Sequence, residues 1–419
     1  MPRRGGPPPD KVLFVGHGAE RTGPPIGLLH LLRWIKANTD IDFEVLLLDG
    51  GDLLDEYRAL APTTVLDYSD KPPRLAQLGM FLESTFHREG ATDRFRTLAY
   101  RRRLRRHGPY RTVYCNSAWT IRVLEYVRMG EQTKVVAAVH ELSVGVDYHL
   151  SDHHRQLLID RPDHFLVVSD AVRRNMIDTY GVDPGRISLH HEMIAIEADP
   201  PVRDEDAARP SRVAASGLFR WRKGPDLFFA IVADIRRRRP DLDVSWAWIG
   251  GDPGAPDRQA LRFDVEAAGL ADVLELTGHL DRPLDYYQDL DVLVLTSRED
   301  AYPLVCLEAA SVGVPIVTFV NGGMPEFVDG RVDALEGPRD EPPTEPGRPA
   351  GFVVPFPDLR QMADRIIELL DDPSEARRRG ACGAERVRRL HAVEVAAPRL
   401  VEDLAEWLLP TEPTTEEPA

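Results

Sequence analysis

The order of apolar and amphipathic segments constrains this chain more than any other feature. Short apolar runs alternate with amphipathic helical stretches, a pattern typical of parallel sheets with helices on both faces. The first series of predicted strands is Val12–Val15, Phe43–Leu48, Thr112–Cys115, Val135–Val139 and Phe165–Ser169. The second series is Val213–Ser216, Val244–Ile249, Val273–Thr277, Val292–Leu295 and Pro315–Phe319. We therefore predict an α/β protein with two doubly wound, Rossmann-like domains that face each other across a cleft.

The length of 419 residues also favours two domains, because single cores rarely grow so large. Prolines and charges in EADPPVRDEDAARP predict a linker between them. A polar insertion at 333–349 is predicted to be a surface loop. The predicted boundaries are a disordered start at 1–10, a first domain at 11–196, the linker at 197–210, a second domain at 211–391, a helix at 392–409 that packs back toward the first domain, and a disordered tail at 410–419.

Composition excludes several classes of protein. The net charge of −16 argues against a nucleic-acid partner, which requires a broadly basic face. Three cysteines without metal-binding spacing are interpreted as small buried residues in a reducing compartment. The N-terminus has no apolar signal core, and no run of 18 apolar residues occurs. We therefore expect a cytoplasmic protein that does not span a membrane.

The stretch LTSREDAYPLVCLEAASVGVPIVTFVNGG, residues 295–323, carries the strongest functional signal. A helix is predicted to begin near Pro303, directly after a buried strand, and its free N–H groups suit a phosphate. Glu299 and Asp300 precede this helix, and Glu308 lies about one turn inside it, within reach of a sugar hydroxyl. Phosphate and sugar together indicate a nucleotide-sugar site.

Cations are predicted at another strand end of the same domain. In GLFRWRKG, Arg220, Arg222 and Lys223 precede a helix and are suited to neutralise a diphosphate without a metal. Taken alone, such a segment is also typical of a solvated loop. Gly250 follows the next strand, where either ligand contact or a simple turn explains it. These segments gain weight together, because α/β folds bind ligands at the carboxyl ends of their strands.

The first domain offers polar groups at corresponding positions. His140 follows a predicted strand and is expected to point toward the cleft. Asn116 ends the preceding strand and is suited to bond a hydroxyl, although capping the next helix explains it equally well. His17 lies in the loop after the first strand, where a substrate contact and a purely structural role both remain open.

A series of motifs now resembles a known family. GLFRWRKGPDLF, WIGGD, LTGHL, DVLVLTSREDAYPLVCLEAASVGVPIV, NGGMPEFV and GFVVP look like the nucleotide-binding half of family 4 retaining glycosyltransferases of GT-B fold, also called group 1. The resemblance covers roughly residues 11–405 and is strongest over 212–330. It implies transfer of a sugar from a nucleoside-diphosphate sugar to a hydroxyl acceptor, with retention of the anomeric configuration.

The resemblance also assigns roles to the acidic residues. The family has two acidic residues separated by seven others, and Asp300 and Glu308 have this separation. Glu308 is thereby implied to hold the ribose. Asp300 takes the position associated with the donor sugar and the reaction centre, although the family's glutamate is one methylene longer. Glu299 is one residue out of register.

The family pairs an arginine after its first glycine with a lysine before its second. Lys223 matches the lysine, whereas Leu218 occupies the arginine position. Arg220 or Arg222 is left to replace that arginine, and we prefer Arg222. The backbone amides at the predicted helix start, those of Leu304 and Val305, are the implied diphosphate donors.

On the acceptor side, the resemblance implicates the loop after the first strand. In similar enzymes this loop lies against the donor phosphates and the acceptor, which makes Gly23 a predicted contact. The family often has a histidine at the position of His140, near the sugar or the acceptor. His140 is accordingly predicted to be catalytic, together with Asp300 and Lys223.

Partners and cofactors follow from these assignments. No Asp-x-Asp pair occupies a convincing strand end, so no metal is predicted, and no cofactor is expected beyond the nucleotide sugar. The acceptor is expected to be a saccharide, a lipid-linked molecule or a small molecule. The arginines within Arg94–Arg111 indicate weak peripheral membrane contact, binding of a phosphorylated acceptor, or a solvated helix paired with acidic neighbours. A sugar-nucleotide epimerase and a catalytically silent sugar-nucleotide-binding protein remain the alternatives.

Overall fold

A computed structural model describes residues 10–68, 74–86, 91–105, 107–196, 209–251, 256–332 and 348–409. The predicted disordered ends, the predicted linker and the predicted polar insertion lie almost entirely outside these described residues. Within them the chain forms two parallel sheets with helices between their strands. The prediction of an α/β protein with two Rossmann-like domains is confirmed.

The first sheet has seven strands in the order β3-β2-β1-β4-β5-β6-β7. Their bounds are β1 Val12–Gly16, β2 Phe43–Leu47, β3 Thr63–Val65, β4 Thr112–Asn116, β5 Lys134–Val139, β6 His164–Val167 and β7 Ile187–Leu189. The accompanying α-helices are α1 Gly23–Asn38, α2 Leu54–Leu60, α3 Arg74–Phe86, α4 Ala91–Arg103, α5 Ser143–His149, α6 Asp152–Asp160 and α7 Asp170–Asp178. A 3₁₀ helix, Ala118–Glu125, follows β4.

The second sheet has six strands in the order β10-β9-β8-β11-β12-β13. Their bounds are β8 Ser211–Ser216, β9 Val244–Ile249, β10 Leu274–Gly278, β11 Val292–Leu295, β12 Ile316–Phe319 and β13 Gly351–Val354. The accompanying α-helices are α8 Pro225–Arg238, α9 Pro256–Ala267, α10 Pro283–Tyr287, α11 Leu304–Ser311, α12 Met324–Val328, α13 Leu359–Asp371 and α14 Pro373–Arg386. A π-helical segment, Val387–His391, precedes the last two helices, α15 Val393–Asp403 and α16 Ala405–Leu408.

Apolar spacing explains why these segments pack as they do. All four residues of β11 are buried, as expected for a strand covered on both faces. Helix α8 buries Phe228, Ile231, Val232 and Ile235, whose spacing of three and four residues forms one helical stripe. This stripe joins the tryptophans of β9 in one core. The core holds the second sheet rigid and thereby fixes the loops at its strand ends.

Several sequence expectations need correction. Three short strands were not predicted, namely β3, β7 and β13. The single helix expected at 392–409 is two helices, because α15 ends at Asp403 and α16 begins at Ala405. The helix expected to begin near Pro303 begins one residue later, with Pro303 as its N-cap residue.

Chain contacts divide the protein into two units. The first comprises residues up to Val168, Arg173–His190 and residues from Ala397. The second comprises Ser169–Val172 and His191–Ala396. Helix α16 is part of the first unit, where the ring of Trp407 stacks on His164 with centroids 4.3 Å apart. The Thr112 hydroxyl also donates to the carbonyl of Trp407.

Candidate active site

The strand order of the second unit creates a natural ligand site. Strand β8 lies between β9 and β11, so the chain leaves β8 toward one side of the sheet and later returns on the other. The loops that follow β8 and β11 therefore diverge at a topological switch point, where open α/β sheets bind ligands. The GLFRWRKG segment forms the first loop, and the SREDAYP segment forms the second.

Lys223 and Asp300 meet between these two loops. The Lys223 Nζ atom donates to Asp300 Oδ2 over 2.6 Å, and the Ser297 hydroxyl donates to the same oxygen over 3.0 Å. Arg222 lies 3.8 Å from Asp300 Oδ1 and donates to the Glu299 carbonyl over 2.9 Å. The structure thus brings the predicted cations Arg222 and Lys223 together with the predicted carboxylate of Asp300. Lys223 and Asp300 lie 77 residues apart in sequence.

Two opposing effects set the pKa of Asp300. Burial alone raises the pKa of this carboxyl, but the charges of Lys223 and Arg222 and the hydrogen bonds from Lys223 and Ser297 outweigh it. The net pKa lies below the ordinary value, so Asp300 is ionised at neutral pH. The Lys223–Asp300 pair is therefore an ion pair that is mostly shielded from water.

Further contacts connect the loop after β8 to the loop after β11. Arg298 forms a bidentate pair with Asp226 at 2.9 and 2.6 Å and donates to the Trp221 carbonyl over 2.7 Å. The Thr296 hydroxyl donates to the Gly224 carbonyl over 2.9 Å. Gly224 has a φ of +69°, and a Cβ there would lie 2.2 Å from the Thr296 carbonyl oxygen. Only glycine fits this position, because both the backbone conformation and the close approach exclude a side chain.

Three other residues of the β8 loop are exposed to solvent. Arg220 is exposed, as are Leu218 and Trp221. Of the two candidates to replace the arginine missing at Leu218, Arg222 is the one beside Asp300. This arrangement agrees with our preference for Arg222, which stays a prediction.

Gly250 lies close to the same loop. It has a φ of +101° and donates its N–H to the Gly278 carbonyl over 2.9 Å. A Cβ at Gly250 would lie 2.9 Å from the Gly217 carbonyl oxygen, which also accepts a hydrogen bond from Trp248 Nε1. These contacts explain Gly250 as a tight turn between neighbouring strand ends, and its predicted ligand contact remains a prediction.

Helix α11 begins beside the Lys223–Asp300 pair. No side chain caps its start, so the amides of Leu304 and Val305 have no hydrogen-bond partner among the described residues. Their position at a helix N-terminus suits a negatively charged group. The predicted diphosphate donors are therefore at the same edge of the sheet as the predicted cations, at the end of the neighbouring strand.

Glu308, in the second turn of α11, has an unusual environment. Its side chain is partly exposed, yet its carboxylate has no hydrogen-bonding or charged partner in the described part of the chain. Burial against apolar groups raises its pKa to about 7. A carboxylate of this kind is costly to bury without a partner and favours a ligand that brings hydroxyl groups.

The predicted polar residues of the first unit also lie at a switch point, between β1 and β4. His140 Nε2 lies 3.1 Å from Asn116 Oδ1, and Asn116 Nδ2 donates to the Pro24 carbonyl over 3.0 Å. Glu141 accepts from the amides of His140 and Ala118, both at 3.0 Å, and from the Ser117 hydroxyl. Asn116 therefore orients His140 instead of capping a helix; Ser117 provides the cap.

His17 and Gly23 complete this edge. Burial is the main reason that the pKa of His17 falls to about 4, so its ring is neutral at pH 7. Its Nδ1 atom is buried and has no hydrogen-bond partner among the described residues. Gly23 is the first residue of α1, the helix that follows the His17 loop. The structure thus places His17, Asn116 and His140 at one edge of the first sheet.

The arginines of segment 94–111 differ in their exposure to solvent. Arg94, Arg102 and Arg105 are exposed, whereas Arg111 is buried and Arg106 lies outside the described residues. Helix α3 packs on α4 and exposes Leu78, Met80 and Phe81. No helix within the described ranges is long and apolar enough to cross a membrane.

The second unit is similar in sequence to a known protein family. Residues 210–372 match the family model described as "Glycosyl transferases group 1". The match contains Lys223, Asp300 and Glu308. The second unit carries a group 1 glycosyltransferase domain. The family resemblance seen in the sequence motifs is confirmed.

Curated proteins with similar sequences are named as glycosyltransferases. The group 1 domain lies in a chain that is 29% identical over 251 residues to a D-inositol 3-phosphate glycosyltransferase of Kineococcus radiotolerans, covering 56% of this chain and 54% of the relative. It is 28% identical over 185 residues to the lipopolysaccharide core biosynthesis mannosyltransferase LpsB of Rhizobium meliloti, covering 44% and 48%. The matched part is about half the length of these curated relatives.

Solved structures match almost the whole chain. HepE of Anabaena, crystallised with UDP and glucose, gives a TM-score of 0.69 at 15% identity and covers 94% of this chain and 99% of its own. The sucrose-phosphate synthase of Thermosynechococcus elongatus gives 0.71 at 20% identity and covers 95% and 98%. At these identities the likeness concerns the fold alone, and it extends beyond the group 1 domain to both units.

Some residues of the site were not singled out from sequence. Ser297 bonds Asp300, and Arg298 ties the two loops together, although both stand inside the stretch that gave the strongest signal. Glu141 organises the His140 edge. Glu326, from NGGMPEFV, accepts from the amides of Asp170 and Ala171 within the second unit. A polar residue two positions after the end of a predicted strand was the available signal for Ser297 and Glu141.

Proposed function

We propose that this protein is a retaining glycosyltransferase that moves a sugar from a nucleoside-diphosphate sugar to a hydroxyl acceptor. One arrangement supports the proposal most. Within the described residues, the unpaired carboxylate of Glu308 lies in the same helix whose first amides have no partner, and Lys223, from the β8 loop, pairs with Asp300 just before that helix. Cation, free amides and unpaired carboxylate match the diphosphate and the ribose of one nucleotide.

Each group has a distinct part in this proposal. The diphosphate lies against Lys223, Arg222 and the amides of Leu304 and Val305. Two ribose hydroxyls donate to Glu308, which relieves the cost of its unpaired carboxylate. The nucleotide sugars of choice for a first test contain UDP, since HepE was crystallised with UDP and with UDP-glucose.

The chemistry follows from where charge develops. The bond between the anomeric carbon and the diphosphate oxygen breaks, and a bond from that carbon to the acceptor oxygen forms on the same face. The acceptor proton passes to the leaving phosphate oxygen. Lys223 and the helix amides stabilise the charge that grows on the diphosphate. Asp300 holds Lys223 in place and is assigned to the donor sugar.

The acceptor side of the proposal rests on the first unit. His17 is neutral at pH 7 and has an unpartnered ring nitrogen, so it is suited to bond a hydroxyl group. His140 is oriented by Asn116 and is assigned to the sugar or the acceptor, while Gly23 is assigned to a backbone contact. The acceptor is a saccharide, a lipid-linked molecule or a small molecule, and nucleic acid is not a partner.

No metal or cofactor is proposed at the donor site. Lys223, Arg222 and two backbone amides supply positive charge where other transferases use a divalent cation. Transfer is accordingly expected to continue in EDTA.

The direct test is incubation of the full chain with a panel of nucleotide sugars and sugar or polyol acceptors, followed by NMR of the products. We expect nucleoside diphosphate release, a glycosylated acceptor and the same anomeric configuration in donor and product. An inverted anomer would contradict retention. Epimerised free donor without a glycosylated acceptor would favour the epimerase, and tight nucleotide binding without turnover would favour a silent binding protein.

We also propose a cytoplasmic location with weak peripheral contact to anionic membranes. Helix α3 exposes three apolar side chains, those of Leu78, Met80 and Phe81. It packs against α4, which exposes Arg94 and Arg102. Apolar and basic side chains on one surface favour binding to anionic lipid. Each arginine near such a membrane contributes about 1 kcal/mol of binding free energy.

Sedimentation with vesicles tests this surface. We expect binding to vesicles with anionic lipid, and weaker binding for Arg94→Glu/Arg102→Glu than for the wild-type protein. Arg236 and Arg237 on α8 are already paired with aspartates, so Arg236→Glu/Arg237→Glu serves as the charge-matched control. Equal sedimentation with purely zwitterionic vesicles would contradict the electrostatic part of the proposal.

A further inference from the structure

A group of metal-ligating side chains lies in the first unit, apart from the residues assigned above. Glu125 is the last residue of the 3₁₀ helix, and His153 and His154 lie in the first turn of α6. One ligand atom from each residue lies within 4.8 Å of the other two. Two imidazoles and one carboxylate are a ligand set that zinc and neighbouring transition metals prefer.

The carboxylate of Glu125 has no cationic side chain to neutralise it. Its oxygens lie 2.7 Å from His153 Nε2 and 3.5 Å from His154 Nε2. Arg122, on the same 3₁₀ helix, instead donates to the Trp119 carbonyl, the Tyr68 hydroxyl and the His149 carbonyl. Arg101 donates to the backbone carbonyl of Glu125 and not to its carboxylate. Within the described residues, Glu125 therefore faces only imidazoles.

His154 has the geometry of a ligand that is already oriented. Its side chain is only 12% exposed, and its Nε2 atom is buried without a hydrogen bond. The Ser151 hydroxyl lies 2.9 Å from the other ring nitrogen, Nδ1. If Nδ1 carries the proton and donates it to Ser151, Nε2 presents its lone pair toward Glu125. Metal-bound histidines typically make such a second hydrogen bond, which fixes the tautomer and the ring orientation.

Two acceptors facing each other at 3.5 Å leave room for a cation between them. Tetrahedral zinc with bonds of about 2.0–2.1 Å separates its ligand atoms by about 3.3 Å. The Glu125–His154 distance of 3.5 Å is close to this value, whereas the exposed His153 must move away from its 2.7 Å contact. Three protein ligands leave a fourth position for water, on the side where His153 is exposed.

We propose that Glu125, His153 and His154 form a binding site for one divalent transition-metal ion, with zinc as the best-suited ion. The ion joins the start of α6 to the end of the 3₁₀ helix that begins beside Glu141. Its role is to stabilise this part of the first unit. The proposal does not depend on the glycosyltransferase reaction, because none of the three residues is assigned to it.

The test uses the untagged full chain, stripped with a chelator and titrated with ZnCl₂ in a calorimeter. We expect one zinc ion per chain and a rise in melting temperature on zinc addition. In His154→Ala and Glu125→Gln, zinc affinity falls at least tenfold and the rise in melting temperature is lost. A cobalt titration adds a spectroscopic signature, since visible absorption bands report coordination by protein ligands.

His107 provides a matched control. Its Nδ1 atom also lies 3.5 Å from a glutamate oxygen, of Glu44, but that glutamate is already bonded by Lys11 and Tyr110. His107→Ala should therefore keep full zinc affinity. Circular dichroism of the metal-free variants checks that they fold. Absence of stoichiometric zinc binding, or equal binding by folded His154→Ala and wild-type protein, would overturn the proposal.

Discussion

Lys223→Met lowers turnover by about 100-fold or more in the transfer assay. Lys223 is the cation of the β8 loop that lies beside the start of helix α11, where charge develops on the leaving diphosphate in the proposed reaction. Removal of one preorganised electrostatic donor typically costs about 2.7–4 kcal/mol in such a step. Methionine keeps most of the lysine's length and apolar volume, so steady-state rates measure the loss of charge and not a cavity.

The same substitution also destabilises the protein, and a second variant separates the two effects. Without Lys223, the buried carboxylate of Asp300 keeps, among the described residues, only Ser297 at hydrogen-bond distance and Arg222 at 3.8 Å. Breaking a buried pair costs about 3–5 kcal/mol. Lys223→Met/Asp300→Asn should recover most of the melting temperature but not the turnover. Recovery of both would show that Lys223 is structural.

Arg212 is the control for this series. Arg212 is the second residue of β8, at the strand end opposite to the loop that carries Lys223, and it forms an exposed pair with Asp289. Arg212→Met should leave turnover within about twofold, because exposed pairs contribute about 1 kcal/mol or less. A loss comparable to that of Lys223→Met would mean that charge anywhere along β8 matters.

Glu308→Gln weakens nucleotide binding at least tenfold, or about 1.4 kcal/mol, while it stabilises the nucleotide-free protein. The two effects have opposite signs because the ionised carboxylate has no partner until ribose hydroxyls arrive. Glutamine keeps the shape but neither the charge nor the second strong acceptor. Calorimetric titration with UDP measures the first effect, and thermal unfolding without ligand measures the second.

The size of the stability effect depends on pH. Glu308 has a pKa of about 7 in the folded protein against an ordinary value of 4.5. Between these values the folded state binds more protons than the unfolded state, so its stability falls as pH rises. At about 1.4 kcal/mol per pH unit, the accumulated cost has an upper limit of about 3 kcal/mol above pH 7. Partial exposure of the side chain lowers this limit.

The difference in stability between Glu308→Gln and the wild-type protein should therefore be small below pH 4.5, grow toward pH 7 and stay constant above it. Glu368→Gln is the control, because Glu368 is exposed and paired with Arg365. A Glu308→Gln variant with unchanged UDP affinity would refute the ribose assignment even if the pH effect appeared. Glu308→Ala should likewise lower turnover at least tenfold.

The central strands of both sheets were predictable because strands buried on both faces are continuous apolar runs. The missed strands have other sequences. Strands β3 and β7 contain three residues each and are only partly buried at sheet edges. At an edge, one side of the strand contacts water, so the apolar signal is weak. Their positions depend on backbone pairing with β2 and β6, which the sequence does not display.

The candidate site was predictable to the level of strand ends but not of contacts. Lys223 and Asp300 were assigned to neighbouring strand ends, and the topology brings them together. Their direct ion pair, and the lack of a partner for Glu308 within the described part of the chain, depend on loop conformations that leave no periodic pattern. Glu125 and His153 are separated by 27 intervening residues without a motif, so their meeting required the fold.

The route of the chain has a consequence for synthesis on the ribosome. The first unit starts at the N-terminus, yet Trp407 covers His164 and bonds Thr112 inside that same unit. The second unit ends at Ala396 and has all its residues before Ala397 is added. Since domains generally fold as units during translation, the unit that is begun first is finished last. Until then, the nascent first domain exposes the surface that α16 later covers.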